Sequence, residues 1–172
     1  MWPTAPDKLG SMTWLVLIVR LRGAAPRYRR RVYAALADGG GVAVSGGVWA
    51  IPDTVMHRPA VDAAVRHALA GGGDIVVMAT TTDNGASHEV FEVKLSERLT
   101  AEAEAITGRC TGLAAAAATG CGRGGLSTDL HALQRDVRRL ARLDVIGLEV
   151  VASAEAAVAR AGNLPAAYEC RV

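Results

Sequence analysis

The side chains in this chain best suited to chemistry are its arginines, which crowd two short stretches: Arg27, Arg29, Arg30 and Arg31 near the front, and Arg135, Arg138, Arg139 and Arg142 near the end. A guanidinium stays charged at any physiological pH and offers its donors in a fixed fork, so a cluster of them suits an oxyanion or a phosphate backbone. Helical periodicity separates the two clusters. Around a buried stripe of Tyr28, Val32, Ala35 and Leu36, Arg30 points away from the core, Arg27 and Arg31 fall on one flank, and Arg29 falls on the other. Such a split is equally a solvated face whose long stems cover apolar surface. In the later stretch Leu130, Leu133, Val137 and Leu140 repeat at three and four residues, leaving His131, Arg135, Arg138, Arg139 and Arg142 on the opposite side with few carboxylates beside them. Arginines gathered on one face can follow a phosphate backbone with marked salt dependence, against the plainer alternative of an ordinary exposed face. The candidate nucleic-acid or oxyanion residues are therefore Arg27, Arg30, Arg31, Arg135, Arg138, Arg139 and Arg142. The late stripe carries no interleaved aromatic, so stacking on single-stranded bases is not expected.

Other reactive side chains form no constellation. His57, His67, His88 and His131 include no HxH or HxxxH pair, so no metal site is expected. Ser87-His88-Glu89 juxtaposes the residue types of a hydrolytic triad, but a triad is defined by spatial geometry and not by adjacency. Cys110, Cys121 and Cys170 are odd in number and widely spaced, which argues against both a disulfide framework and a zinc site and leaves free thiols. A thiol sensor of an oxidant is chemically conceivable, but nothing nearby visibly lowers a thiol pKa, and buried inert cysteines are commoner. Gly39 to Gly41 and Gly71 to Gly73 each follow a helix, whereas phosphate-binding loops precede one, so both triplets read as helix stops. The expectation is a non-enzymatic protein without cofactor or metal.

The elements that must position these residues follow from pattern. Met1 to Ser11 reads as a loose leader, and residues 12–172 as a single domain. Met12 to Leu21 is a strand apolar on both faces, which belongs in the middle of a covered sheet. Pro26 opens a helix that runs to Asp38. Val42–Val44 and Val48–Ile51 form a hairpin around Ser45-Gly46-Gly47. Pro52-Asp53-Thr54 leads into a helix from about Val55 to Ala70, and Ile75 to Thr80 is the next strand. The order β-α-β-β-α-β predicts an α/β fold, a ferredoxin-like split sandwich. Its helices cover one face only, so the remaining chain must supply a second cover. There Glu89 to Lys94 alternates like an edge strand after a polar loop at Thr82 to Ser87. Helices are expected over Ser96–Ala118, from Ser127 or Thr128 to Leu143, and from a Ser153 cap to Ala161, giving a C-terminal helical layer over about residues 96–162.

Whole-chain properties exclude several classes. The 172 residues suffice for one packed domain, and 51% hydrophobic with 21% charged residues is ordinary for a folded soluble protein. A net charge of +2 does not by itself point to nucleic acid or an anionic membrane. The longest strongly apolar run, Trp14 to Val19, is far short of a membrane span and meets Arg20 at once. The opening MWPTAPDKLG has no secretory-signal pattern, so a cytoplasmic protein without membrane association is expected.

Several pieces together resemble the N-terminal domain of ChrB-type chromate-resistance proteins. They are Trp14-Leu15-Val16-Leu17, the helix Arg30-Arg31-Val32-Tyr33-Ala34-Ala35-Leu36, the strand Gly47-Val48-Trp49-Ala50-Ile51-Pro52, and the late Asp136-Val137-Arg138-Arg139-Leu140 leading to Leu143-Asp144-Val145-Ile146-Gly147. Each piece is mostly packing and punctuation; their order and spacing over Trp14 to Gly162 carry the likeness. The resemblance implies a regulator of a chromate-efflux operon, with DNA as partner and chromate as effector; the two-sided apolar first strand suits a homodimer. Full-length members carry a further C-terminal domain, which this chain is expected to lack, so a dimerisation or interaction module is the alternative. The family is often aromatic after the late aspartate, where this chain has Val145-Ile146. CRISPR-associated metal nucleases share the β-α-β-β-α-β order but place an acidic residue near the end of the first strand. Here that strand ends Ile18-Val19-Arg20, a cation where divalent-metal chemistry needs an oxygen ligand.

Overall fold

The computed structural model describes residues 12–80, 85–118 and 123–163. The chain divides into two compact units, Met1–Val93 and Lys94–Val172.

The first unit carries β1 (Trp14–Arg20), α1 (Pro26–Asp38), β2 (Val42–Ser45), β3 (Val48–Pro52), α2 (Arg58–Ala70), β4 (Asp74–Thr80) and the opening turns of α3 (Gly85–Ala118). Its antiparallel sheet has the order β2-β3-β1-β4, the ferredoxin-like arrangement that the element order predicts. β1 lies between β3 and β4, as expected of its two apolar faces. Alternation along β1 sends Leu15, Leu17 and Val19 toward α1 and α2, where they pack with Val32, Leu36, Ile51, Val61, Ala64 and Ala68. Trp14, Val16 and Ile18 occupy the other face, beside Pro52, Ala50 and Val48 of β3 and Thr80, Met78 and Val76 of β4. On that face Phe91 of α3 packs its ring 5.4 Å from the Trp14 ring, so the first turns of α3 supply part of the second cover.

Pro26 opens α1, where its missing N–H and fixed φ cost nothing, and the Gly39 N–H closes the helix on the Ala35 carbonyl. The glycine triplet does more than stop the helix. A Cβ at Gly39 would overlap the Ala60 Cβ of α2, so the end of α1 and the start of α2 approach closer than any side chain permits. The hairpin between β2 and β3 turns through Gly46-Gly47, with Gly47 at φ +78° and the register shifted between Ala43 and Ser45. α2 begins at Arg58, three residues later than the sequence suggests. Thr54 first forms a turn of its own: its carbonyl accepts the His57 and Arg58 N–H groups, and its hydroxyl lies 2.6 Å from His57 Nδ1. Pro59 then sits in the first turn of the helix.

The expected edge strand at Glu89–Lys94 is corrected, as is the Gly85–Ser87 end of the expected loop, whose Thr82–Asn84 part lies outside the described residues: Gly85–Ala118 is one helix. Phe91, Leu95, Leu99, Ala103, Ile106 and Cys110 are its buried positions, spaced by three and four residues, so the local alternation at residues 90–93 is outvoted by a much longer helical stripe.

The second unit holds the rest of α3 with α4 (Arg123–Leu143) and α5 (Glu149–Gly162). Leu133, Val137, Leu140 and Leu143 of α4 are buried, as are Val151, Ala154, Ala157 and Val158 of α5. Ser127, Thr128 and Ser153 lie inside their helices and not at the caps expected for them. The α4–α5 connection is organised by Asp144, whose carboxylate accepts the backbone N–H groups of Ile146, Gly147 and Leu148 at 3.1, 2.8 and 2.7 Å. Gly147, at φ +79°, completes that turn.

Candidate anion and nucleic-acid surfaces

Each arginine cluster lies within one unit. On α1, Arg27 stands over the Tyr28 ring at 4.8 Å and donates to the Tyr28 hydroxyl at 3.3 Å, a cation–π contact that occupies its guanidinium. Arg30 and Arg31 are exposed. These three predicted residues converge on no common point. Arg29, the flank residue that the helical wheel separates from them, turns toward the end of β1 and donates from Nη2 to the Leu21 carbonyl at 3.0 Å.

That contact places Arg29 on an open groove of about 770 Å³ lined by Val19, Arg20, Leu21, Arg22, Tyr33 and the Gly72–Asp74 turn, besides Arg29 itself. Arg20 and Asp74 pair in a two-pronged ion pair, with Nε 2.9 Å from Oδ1, and Asp74 raises the Arg20 pKa above its ordinary value. The hydrogen bond to Asp74 is the larger cause and the Coulombic attraction the lesser. Tyr33, one turn beyond Arg29, stacks its ring on Trp49 with centroids 5.9 Å apart. Arg22 stands outside both arginine clusters of the sequence, and Arg29, though within the first, falls on the flank away from Arg27 and Arg31. The signal available was the Arg20-x-Arg22 step directly after a strand, together with Arg29 and Tyr33 sharing a helical stripe.

On α4, Arg135, Arg138 and Arg142 are exposed at spacings of three and four residues, in line with the predicted stripe. Arg139 is held differently. Its Nη2 lies 2.8 Å from Glu102 Oε2 of α3, while the other oxygen of that carboxylate accepts Arg98 Nε at 2.9 Å. Arg109 of α3 also pairs with Asp136, at 2.6 Å. Carboxylates therefore stand closer to this stripe than the sequence suggests. Arg135, Arg138, Arg139 and Arg142 border a groove of about 730 Å³ with Asp136, Ala141 and Glu155 of α5.

Cys110 is buried and in no disulfide. Burial pushes its thiol pKa up, against the opposing pull of Arg109 and Arg160, which disfavours the thiolate a redox sensor needs. Cys121 and Cys170 lie outside the described residues. Among the described residues no group of three or more His, Cys, Asp or Glu side chains could hold a metal ion, and no helix is long and apolar enough to cross a membrane.

Residues 29–121 match the family model of the N-terminal region of protein ChrB, more than half of the chain. The chain belongs to the ChrB N-terminal family. Membership associates it with chromate resistance. The ChrB match opens inside α1 and runs through β2, β3, α2, β4 and α3. Two of the pieces that carry the sequence resemblance, Trp14–Leu17 and Asp136–Gly147, stand outside the matched span, and so does the arginine stripe of α4. No curated protein and no solved structure matches the chain.

Proposed function

We propose that this ChrB-family chain is a non-enzymatic regulator of chromate resistance that binds DNA through α4, with chromate as the effector of the response. The observation that carries the reading is the line of Arg135, Arg138 and Arg142 on one exposed helical face, whose buried side is taken up by Leu133, Val137 and Leu140. A helix anchored along one side and cationic along the other can lie against a duplex and exchange condensed counterions for guanidinium contacts. Arg139, tied to Glu102, belongs to the packing of the unit more than to this surface.

Electrophoretic mobility shifts on the DNA upstream of its own coding sequence, run across a salt series, test the reading. Replacing Arg135, Arg138 and Arg142 together with Ala is expected to weaken binding to every duplex and to flatten the salt slope by roughly three, about one per phosphate contact removed. Retention of the full slope in that variant refutes a DNA surface on α4.

A second reading, a dimerisation module, is favoured by β4. This strand has one sheet neighbour, β1, and its Val76 and Met78 on one face and Val77 on the other are all exposed. An apolar edge of this kind suits pairing with the same strand of a second copy. Light scattering coupled to size exclusion distinguishes a dimer from a monomer.

A further inference from the structure

We infer that the groove at the end of β1 is a binding site for a small tetrahedral oxyanion carrying two negative charges, gripped by Arg22 and Arg29 with the Tyr33 hydroxyl as a further donor. The groove lies wholly in the first unit; the inference deepens the effector part of the proposed function and rests on it, and does not depend on the DNA-binding part.

Charge comes first. Three guanidiniums, Arg20, Arg22 and Arg29, meet one carboxylate, Asp74, which leaves a formal +2 in a single concavity. Asp74 engages Arg20 at both prongs, so Arg20 contributes field while Arg22 and Arg29 keep donors for a ligand. A dianion neutralises that excess; a phosphodiester, with one charge per residue, does so only in part.

Preorganisation comes second. Arg29 spends one N–H on the Leu21 carbonyl at 3.0 Å, which fixes the plane of its fork and leaves its other N–H groups for a ligand. The Tyr33 ring is steadied by Trp49, and among the described residues neither Arg22 nor the Tyr33 hydroxyl has a hydrogen-bond partner. Arg29 and Tyr33, so held, lose less freedom when they bind than a long solvated side chain such as Arg22 does. The backbone takes little part, because the Gly72 and Gly73 N–H groups already donate to Leu69 and Ala68. Three short segments therefore line one groove with side-chain donors, which suits a compact ion better than the extended line of charges on a polymer.

Calorimetric titration of the full chain with sodium sulfate and with sodium phosphate, against sodium chloride at matched ionic strength, tests the site. Saturable sulfate binding is expected, weakened about tenfold or more by Arg22→Ala and by Arg29→Ala and about threefold by Tyr33→Phe. Arg29→Lys keeps the charge without the fork and is expected to fall between Arg29→Ala and the parent, which guards against misreading a loosened β1 end as a lost ligand contact. Arg66→Ala, on the exposed side of α2 and outside the groove, should bind sulfate as the parent does. Absence of saturable binding, or equal losses across all the arginine variants, overturns the proposal. So does a result in which Arg22→Ala and Arg29→Ala lower duplex-DNA retention while inorganic ions do not bind, for the groove would then be a polymer contact. The α4 variants are scored on DNA alone, so either idea can fail without the other.

Discussion

Gly39 illustrates how much can rest on one missing methyl. Because a Cβ there would overlap the Ala60 Cβ, Gly39→Ala must push α1 and α2 apart at a contact where both backbones are already fixed. We expect a loss of about 3 kcal/mol in urea unfolding, and partial recovery when Ala60→Gly is added, since a direct overlap produces coupling that independent sites do not. Cys110 gives a second residue-level test. With its pKa pushed up by burial, it holds less thiolate at neutral pH than an exposed cysteine, so a Cys121→Ser/Cys170→Ser variant should react slowly with a thiol reagent at pH 7. The rate should climb with pH and jump on unfolding; fast labelling of the native variant at pH 7 would contradict the burial. Position along the chain made both glycine triplets legible as helix stops, and Gly40 and Gly72 do adopt positive φ. Their packing role was not legible, because it depends on which residue of α2 arrives opposite, a tertiary fact. Arg29 was hidden for a related reason: a helical wheel shows that it stands apart from its neighbours, but not that Leu21 waits on that side.

Among the elements, α1 and the β2–β3 hairpin follow from their punctuation, while the long α3 does not. Pro26 and Gly39 bracket α1, and Gly46-Gly47 sets the hairpin, so these follow from local rules. α3 starts at Gly85, directly after Asp83-Asn84, a mark that reads as a loop as readily as a helix start, and the four residues Val90 to Val93 fit a strand as easily as a helix until Leu95, Leu99 and Ala103 join the count. The arginine stripe of α4 was legible as spacing, while the capture of Arg139 by Glu102 was not, since the two are far apart in sequence. This difference within α4 is testable. Arg138→Ala should leave stability within about 0.5 kcal/mol of the parent, as exposed substitutions usually do, while lowering the salt slope of DNA binding. Arg139→Ala should do the reverse, costing about 1 kcal/mol, the upper end for a partly exposed ion pair, with little change in slope. The α4–α5 turn rests on one carboxylate, so Asp144→Ala is expected to cost about 2 kcal/mol and to speed hydrogen exchange at Ile146, Gly147 and Leu148.

For the whole molecule, the order of strands and helices in the first half was enough to foresee the ferredoxin-like sheet, because that topology satisfies a strand with two apolar faces at its centre. The family resemblance drew on Trp14–Leu17, α1 and β3 and also on Asp136–Gly147 in the second half, while the matched span ends just after α3. Less visible was the exposure of β4: the foreseen topology puts it at an edge, but its apolar run gives no sign that Val76, Val77 and Met78 stay exposed. If a second copy adds there, the chain should run as a dimer in light scattering, and Val76→Lys with Met78→Lys should return it to a monomer without lowering the thermal midpoint by more than a few degrees.

The two borders of this sheet are unequal, and that inequality governs what kind of assembly can grow from it. β4 offers a seven-residue border; β2, at the opposite side, offers four residues interrupted by an irregular register. A copy joining β4 to β4 about a twofold axis uses up the long border of both partners and stops. A copy joining β4 to β2 would leave a fresh β4 at each step and could extend without end, but the short, kinked β2 makes a poor template for it. If copies do add, the brief, irregular outer border of β2 is what would keep that growth self-limiting.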